Sequence, residues 1–403
     1  MSRPDQQSFG SLGTGETVIC SGRRSSKELG AWRRWRALLL GLGCLAACSP
    51  GVSAEVLLVG PERSLRAPSD AAAVAEDGDV VRIDSGEYVD CAIWRANGLV
   101  LQAPDGAAHM RDRACAGKAI WVIGGADVTV DNITFSGARV PDQNGAGIRA
   151  EGRDLTVRNS RFFDNENGIL AAPVEGSTVL IEGSAFERNG KCAANCAHGV
   201  YVSGIARLKI VDTVFREQRQ GHHIKSGALA LEVTSNTIED GPEGTASYLI
   251  DVISGGEVVI ADNVMHKGPK SENRSAAIHI AGESATGSAY RISNNRFRSD
   301  NPQEVAFVRN RSVVPAALEG NRLEGTVVPL VGPGTVDQMP GAEAIVRDRP
   351  EEGSGAIDDE PAAGAVVFDD LETKLRLLKR LFEQGLITEE EYTAKKAQLL
   401  RSL

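Results

Sequence analysis

Five of the six histidines fall within one stretch of the chain, and four of them, His198, His222, His223 and His279, are candidates for chemistry. Tyr201, Lys225 and Asp251 are interleaved with them, and Arg309 lies beyond. These residue types move or stabilise protons: an amine or imidazole takes one, a phenol or imidazole returns one, and a guanidinium holds an anion. Tyr201, Lys225, Asp251, His279 and Arg309 follow one another at intervals of 24 to 30 residues, and His198 precedes His222 by 24. Residues so far apart meet only if the chain retraces its path with that period. Other chemistries lack their signatures. No Gly-x-Ser-x-Gly and no His-Glu-x-x-His occurs, and neither Gly124-Gly125 nor Gly255-Gly256 opens a helix after a strand, as a phosphate cradle would. One carboxylate, Asp251, stands in this series, so hydrolysis by paired carboxylates is not expected.

The required period is present. Asp127 to Phe135 reads DVTVDNITF and Asp154 to Phe162 reads DLTVRNSRF. The same frame ends again at Phe186, Phe215, Ile238, Met265, Phe297 and Leu323, at spacings of 23 to 32 residues. Each copy is a short alternating strand, a polar turn and an inward apolar residue. Asn132, Asn159, Asp212, Asp262 and Asn294 share one turn position, and Asn236, Asn263, Asn295 and Asn321 share the next. Asn and Asp accept left-handed backbone and bond their own main chain, as tight turns demand. A second strand follows each Phe turn. Its inward residues read Ile148, Ile169, Val200, Ile224, Ile250, Ile278 and Val308. The next residue in each copy points outward: Arg149, Leu170, Tyr201, Lys225, Asp251, His279, Arg309. By the same alternation His223 points outward beside Lys225. Strands this short bury no face alone, but they do if each lies on its counterpart in the next coil, ~4.8 Å away.

This pattern resembles the right-handed parallel β-helix of the pectate-lyase-like superfamily over about residues 55–335. The resemblance implies an all-β, single-stranded solenoid of about ten coils. Ser69 to Glu76, an amphipathic helix ahead of Asp77 to Ile83, would cap its first coil. Cys91 and Cys115, 24 residues apart, would then lie one coil apart as a staple. Ile224-Lys225-Ser226 with Asn236 is similar to the Lys-Ser…Asn segment of β-helix lyases of the chondroitinase-B and alginate-lyase type. That similarity implies that Lys225 abstracts the proton alpha to a uronate carboxylate, with Tyr201 or His223 donating or returning a proton. The family places an Arg on the next coil; here Asp251 stands there, with His279 beyond. His198, His222 and Arg309 are the expected substrate contacts. The expected function is binding or modification of a cell-envelope or environmental polysaccharide, by lyase or epimerase chemistry. The alternative is a non-catalytic envelope scaffold or adhesion protein.

The termini point to export and association. Arg33, Arg34 and Arg36 precede an apolar stretch, Ala37 to Ala47, about as long as a signal-peptide core. Residues 1–54 are therefore an extension plus leader, with cleavage after Val52-Ser53-Ala54 or lipidation at Cys48 in Leu45-Ala46-Ala47-Cys48. The expected location is periplasm, outer-membrane lipoprotein or extracellular. Past Ala54 four cysteines remain, Cys91, Cys115, Cys192 and Cys196, an even number that suits two disulfides in an oxidising compartment. Cys192, Cys196 and His198 could instead ligate a metal. No cofactor is required, although Asp240-Gly241-Pro242-Glu243-Gly244 offers loop oxygens to Ca²⁺. Residues 336–368 form an acidic linker. Residues 369–403, with Leu371, Leu375, Leu378 and Phe382 at helical spacing, Gly385 as a stop and Thr388 with Glu391 as a capping box, resemble the SHOCT module. That resemblance implies a small α-helical hairpin used for self-association. The net charge of −10 excludes a general nucleic-acid binder.

Overall fold

The computed structural model describes residues 54–337, apart from 107, 194–195 and 282–289, together with Tyr392, Thr393 and Lys396. The expected leader with Cys48, the linker from 338 onward and nearly all of the C-terminal hairpin lie outside the described residues. What is described is a parallel β-solenoid with three strands per coil. One sheet of twelve strands runs from Val56–Val59 to Gly334–Val336. A second, of ten, runs from Gly86–Tyr88 to Arg322–Glu324, and a third, also of ten, from Ala92–Trp94 to Val327–Val331. One coil reads Thr178–Glu182 in the first sheet, Ala185–Glu187 in the second and Val200–Ser203 in the third. The sequence expectation of two strands per coil is corrected to three, because the Phe position is itself a strand.

The turn between the first and second sheets follows from its residues. Asn132, Asn159, Asp212, Asp262 and Asn294 have φ of 56°, 48°, 49°, 59° and 56°, left-handed backbone that most side chains resist. The next position builds a buried amide ladder: Asn236 Nδ2 donates to Asn263 Oδ1 at 3.0 Å, Asn263 to Asn295 at 2.9 Å and Asn295 to Asn321 at 2.9 Å. Each amide also donates to a backbone carbonyl, Asn263 Nδ2 to Val233 O at 2.9 Å. Turns that would bury unpaired polar groups are thereby satisfied.

At the first coil the helix Pro68–Val74 buries Pro68 and Ala71, and Asp70 accepts the Arg66 and Ala67 amides. The Cys91–Cys115 disulfide joins the entries to Ala92–Trp94 and Ala119–Ile123, which pair directly. Cys192 and Cys196 are also joined, closing the antiparallel ribbon Lys191–Cys192 and Cys196–Ala197, so the metal alternative for this pair falls away.

Inside, the second-sheet rings pile up as the repeat requires. Phe135, Phe162, Phe186 and Phe215 stack at centroid separations of 5.0, 4.7 and 4.8 Å. The facing residues are Gly147 and Gly168. A Cβ on Gly168 would stand 2.7 Å from the Phe186 ring and 2.4 Å from the Gly199 carbonyl oxygen. The rings thus fit only because the opposite wall is glycine.

Opposite Phe215 the glycine gives way to His223, whose ring meets the Phe215 ring edge-on at 6.2 Å. His223 is fully buried and donates from Nε2 to Asp240 Oδ1 at 2.9 Å. The expectation of an outward His223 beside Lys225 is therefore corrected. His223 precedes the strand Ile224–Gly227, at the corner where the chain enters the third sheet, so strand alternation does not yet hold and His223 and Ile224 both face inward. Asp240, also fully buried, accepts from the Gly268 amide at 3.2 Å. Burial pushes its carboxyl up, but the His223 hydrogen bond and the His223 and Lys267 charges hold it below the usual range. Lys267, fully buried, donates from Nζ to the Ser247 carbonyl.

Two outcomes follow. Phe186→Ala opens a hole in the middle of the ring stack and should cost about 3–5 kcal/mol in urea unfolding, the range for a buried Phe. Burial lowers the Lys267 ammonium from 10.5 to about 8, with Asp240 opposing. Between those two values the unfolded chain holds a proton that the native chain has released, so stability rises with pH, the slope being set by bound protons in U minus N. The cost of the buried charge is full below pH 8 and is relieved by about 3 kcal/mol as pH climbs to 10.5. Urea titrations of wild type and Lys267→Met across this window should show the rise in wild type and its loss in the variant.

Candidate active site on the third sheet

Strand pairing sets the outward file of the third sheet. Arg149 lies over Leu170, Leu170 over Tyr201, Tyr201 over Lys225, Lys225 over Asp251, Asp251 over His279 and His279 over Arg309. The inward file from Ile148 to Val308 pairs in the same register. The structure thus brings together Tyr201, Lys225, Asp251, His279 and Arg309, as the sequence spacing implies.

A second row of rings flanks this file, on residues two before each inward Ile or Val. His198 stacks on His222 at 4.8 Å, His222 on Tyr248 at 5.2 Å and Tyr248 on His279 at 4.7 Å. Backbone hydrogen bonds fix the tautomers. His198 Nδ1 accepts the His222 amide at 3.0 Å, and His222 Nδ1 accepts the Tyr248 amide at 3.0 Å. An Nδ1 that accepts carries no proton, so in both rings the proton sits on Nε2. Burial holds His198 well below the usual histidine range, with Lys225 adding to the effect. Burial does the same for His222 against the opposing pull of Asp251. Both rings are therefore neutral at pH 7.

Asp251 is the hub. His279 Nδ1 lies 2.8 Å from Asp251 Oδ1, and His222 Nε2 faces Oδ2 at 3.5 Å. Although burial pushes the carboxyl up, the His279 hydrogen bond foremost, with the Lys225 charge behind it, holds it below the usual carboxylate range. Lys225 does not pair with Asp251. Its Nζ lies 5.2 Å over the Tyr201 ring, and among the described residues it makes no ion pair. Arg309 donates from Nη2 to the Ser275 carbonyl oxygen at 3.4 Å.

Beside the row, the loops entering the third sheet enclose a cleft of about 630 Å³. Arg139, Lys191 and Arg219 line it together with Glu166, Glu243 and Glu272. None of Tyr201, Lys225, Asp251, His279 and Arg309 lines this cleft, which belongs to the loops entering the sheet and not to the file itself. In the loop 240–244 the carboxylates have other partners: Asp240 is held by His223 and the Gly268 amide, and Glu243 pairs with Lys270 at 2.6 Å. Among the described residues no group of three or more His, Cys, Asp or Glu is placed to hold a metal.

Sequence reasoning missed Tyr248. It stands in the loop before Ile250, outside the repeat frame. Its segment is tied to the next coil by Lys267 on the Ser247 carbonyl and by Ser271 Oγ on the Ala246 carbonyl at 2.7 Å. The signal that could have found it is position: like His222 and His198, it lies two residues before an inward Ile or Val.

Residues 111–297 match the family described as right handed beta helix region, and residues 373–400 match the short C-terminal domain, SHOCT. No curated protein matches the chain. Among solved structures, an alginate lyase from Paenibacillus sp. str. FPU-7 is 16% identical with a TM-score of 0.49, covering 68% of this chain and 99% of its own. A PL6 family alginate lyase is 15% identical with a TM-score of 0.37, covering 70% and 40%. A pectin methylesterase bound to a hexasaccharide is 12% identical with a TM-score of 0.29, covering 67% and 79%. The described residues thus fold as a right-handed parallel β-helix, in line with the family match over residues 111–297, and residues 373–400 match the SHOCT domain.

Proposed function

We propose that the protein binds and modifies an anionic polysaccharide along the third sheet, by lyase or epimerase chemistry on a uronate. The single observation that carries this reading is the file Tyr201–Lys225–Asp251–His279–Arg309, which sets cations and proton-transfer groups in a line along one sheet. A polymer laid along the coil axis would meet a different polar group at each step of about 4.8 Å. Lys225, held on Tyr201 and unneutralised, supplies a fixed cation.

We also propose that the protein acts outside the cytoplasm. The apolar stretch after Arg33, Arg34 and Arg36 supports export, and so does the pairing of all four cysteines past Ala54. The lipobox-like Leu45 to Cys48 supports a lipid anchor, and the SHOCT match supports self-association of the tail.

The test is a screen of uronate-containing polymers for the absorbance of an unsaturated product, and for epimerised sugar by NMR. Wild type should turn over at least one polymer, and Lys225→Ala should lower kcat/KM by about 100-fold, the usual scale for losing a charged or proton-transferring group. Binding to a polymer without product would leave a lectin-like scaffold. The mass of the mature N-terminus should correspond to a chain starting at a diacylated Cys48 or after Ala54.

A further inference from the structure

The sequence resemblance gives Lys225 the role of base, yet the residue on its next coil is a carboxylate, Asp251, where a carboxylate-binding cation is needed. Two coils further on the arrangement is different. His279 has Arg309 on its next coil, and Asp251 on the coil before. We propose that His279 is the proton-abstracting residue, that Asp251 orients it, and that Tyr248 returns the proton; this rests on the glycan-modifying reading above.

Asp251 is acceptor-only when ionised, so the 2.8 Å contact requires the proton on His279 Nδ1. The lone pair is then on Nε2, the nitrogen turned away from the hub. Ring orientation is fixed twice, by that hydrogen bond and by the Tyr248 ring stacked 4.7 Å away at 11°. Asp251 is itself enclosed: its side chain is 7% exposed, and His222 Nε2 lies 3.5 Å from its second oxygen. His279 keeps a 13% exposed side chain, whereas His198 and His222 are sealed beneath the surface. It is the one imidazole of the row whose free nitrogen can reach a polymer. Lys225 lies two coils back, about 10 Å along the axis. That is too far to share a carboxylate with Arg309. Its place on the Tyr201 face suits a held cation, since ring faces attract positive charge. Lys225 therefore holds the carboxylate of a neighbouring sugar.

In the elimination, Arg309 faces the uronate carboxylate and His279 Nε2 takes the proton on C5. The electron pair forms the C4–C5 double bond and the C4–O bond breaks. The leaving oxygen takes its proton from the Tyr248 hydroxyl, which draws one from solvent as His279 gives one up.

Two conservative variants separate the roles. Arg keeps charge and cannot shed its proton at neutral pH, so Lys225→Arg tests cation against base. On a polymer that wild type turns over, Lys225→Arg should keep kcat within about threefold, and His279→Gln should lose about 100-fold or more in kcat with KM little changed. The reverse ranking, Lys225→Arg inactive and His279→Gln active, overturns the assignment and leaves the glycan-modifying reading intact. No product from wild type on any polymer sinks that reading and the assignment with it. Histidine ¹⁵N correlation spectra test the orienting role of Asp251 without substrate. His279 should carry its proton on Nδ1 in wild type and lose that preference in Asp251→Asn, whereas an Nε2 proton in wild type overturns the proposal.

Discussion

Parallel hydrogen bonding of each coil to the one before it, strand on strand in three sheets, forces every residue to lie over its counterpart a coil away. No side chain chooses its neighbour along the axis; the backbone register chooses it. Phe falls on Phe, Asn on Asn and Ile on Ile, and each of these like-on-like files is favourable for its own reason. Offset stacked rings attract, and amides donate and accept in one direction without limit. Charged residues have no such property, since like charges directly opposite repel. The outward file of the third sheet meets that constraint by changing type at every coil: Tyr201, Lys225, Asp251, His279, Arg309. A row of unlike titratable groups is thus what the fold tolerates where a row of identical ones would fail.

The electrostatics of the site follow from how much of it is neutral. His198 and His222 lie too deep to carry charge, and their amide-accepting Nδ1 atoms assign their protons to Nε2. Asp251 is then the sole ionised group among those rings. Its charge is met from one side by His279 and from another by His222, and Lys225 stabilises it at longer range. A carboxylate so enclosed offers little repulsion to an anionic sugar outside. The surface charge that a ligand meets is set by Lys225 and Arg309.

Much of this was legible in the sequence. The Asn and Asp turn positions and the Phe column state the period, and the inward Ile column identifies each outward neighbour by alternation alone. That logic holds only inside a strand. It fails for His223 because the corner before Ile224 puts two consecutive residues inward, filling the place that glycine holds in earlier coils. It does not reach Tyr248 because that ring stands before the strand begins, where alternation does not apply and only its offset from Ile250, shared with His198 and His222, marks it. The buried Asp240–Lys267 pair was illegible for a related reason. Both residues stand one place past Glu239 and His266 at the end of the second sheet, and at that place in earlier coils Asp164, Arg188 and Glu217 are only half-buried.

That buried pair explains how a loop residue can belong to an otherwise strand-built site. A ring on a variable loop is poorly placed by default, and a site needs its groups held within a fraction of an ångström. The segment before Tyr248 is anchored from the next coil by Lys267 on the Ser247 carbonyl, by Ser271 on the Ala246 carbonyl and by Asn273 on Ser247 Oγ at 3.3 Å. Lys267 is kept charged in the interior by Asp240, which is in turn held by His223 and the Gly268 amide. An ammonium buried at such cost for stability alone would be poorly chosen, since an apolar residue fills the same volume without desolvation. A line of interactions, from His223 bonded to Asp240, through the Asp240 charge acting on Lys267, to the Lys267 bond on Ser247, makes sense as the means by which the rigid interior dictates where the Tyr248 ring stands between His222 and His279.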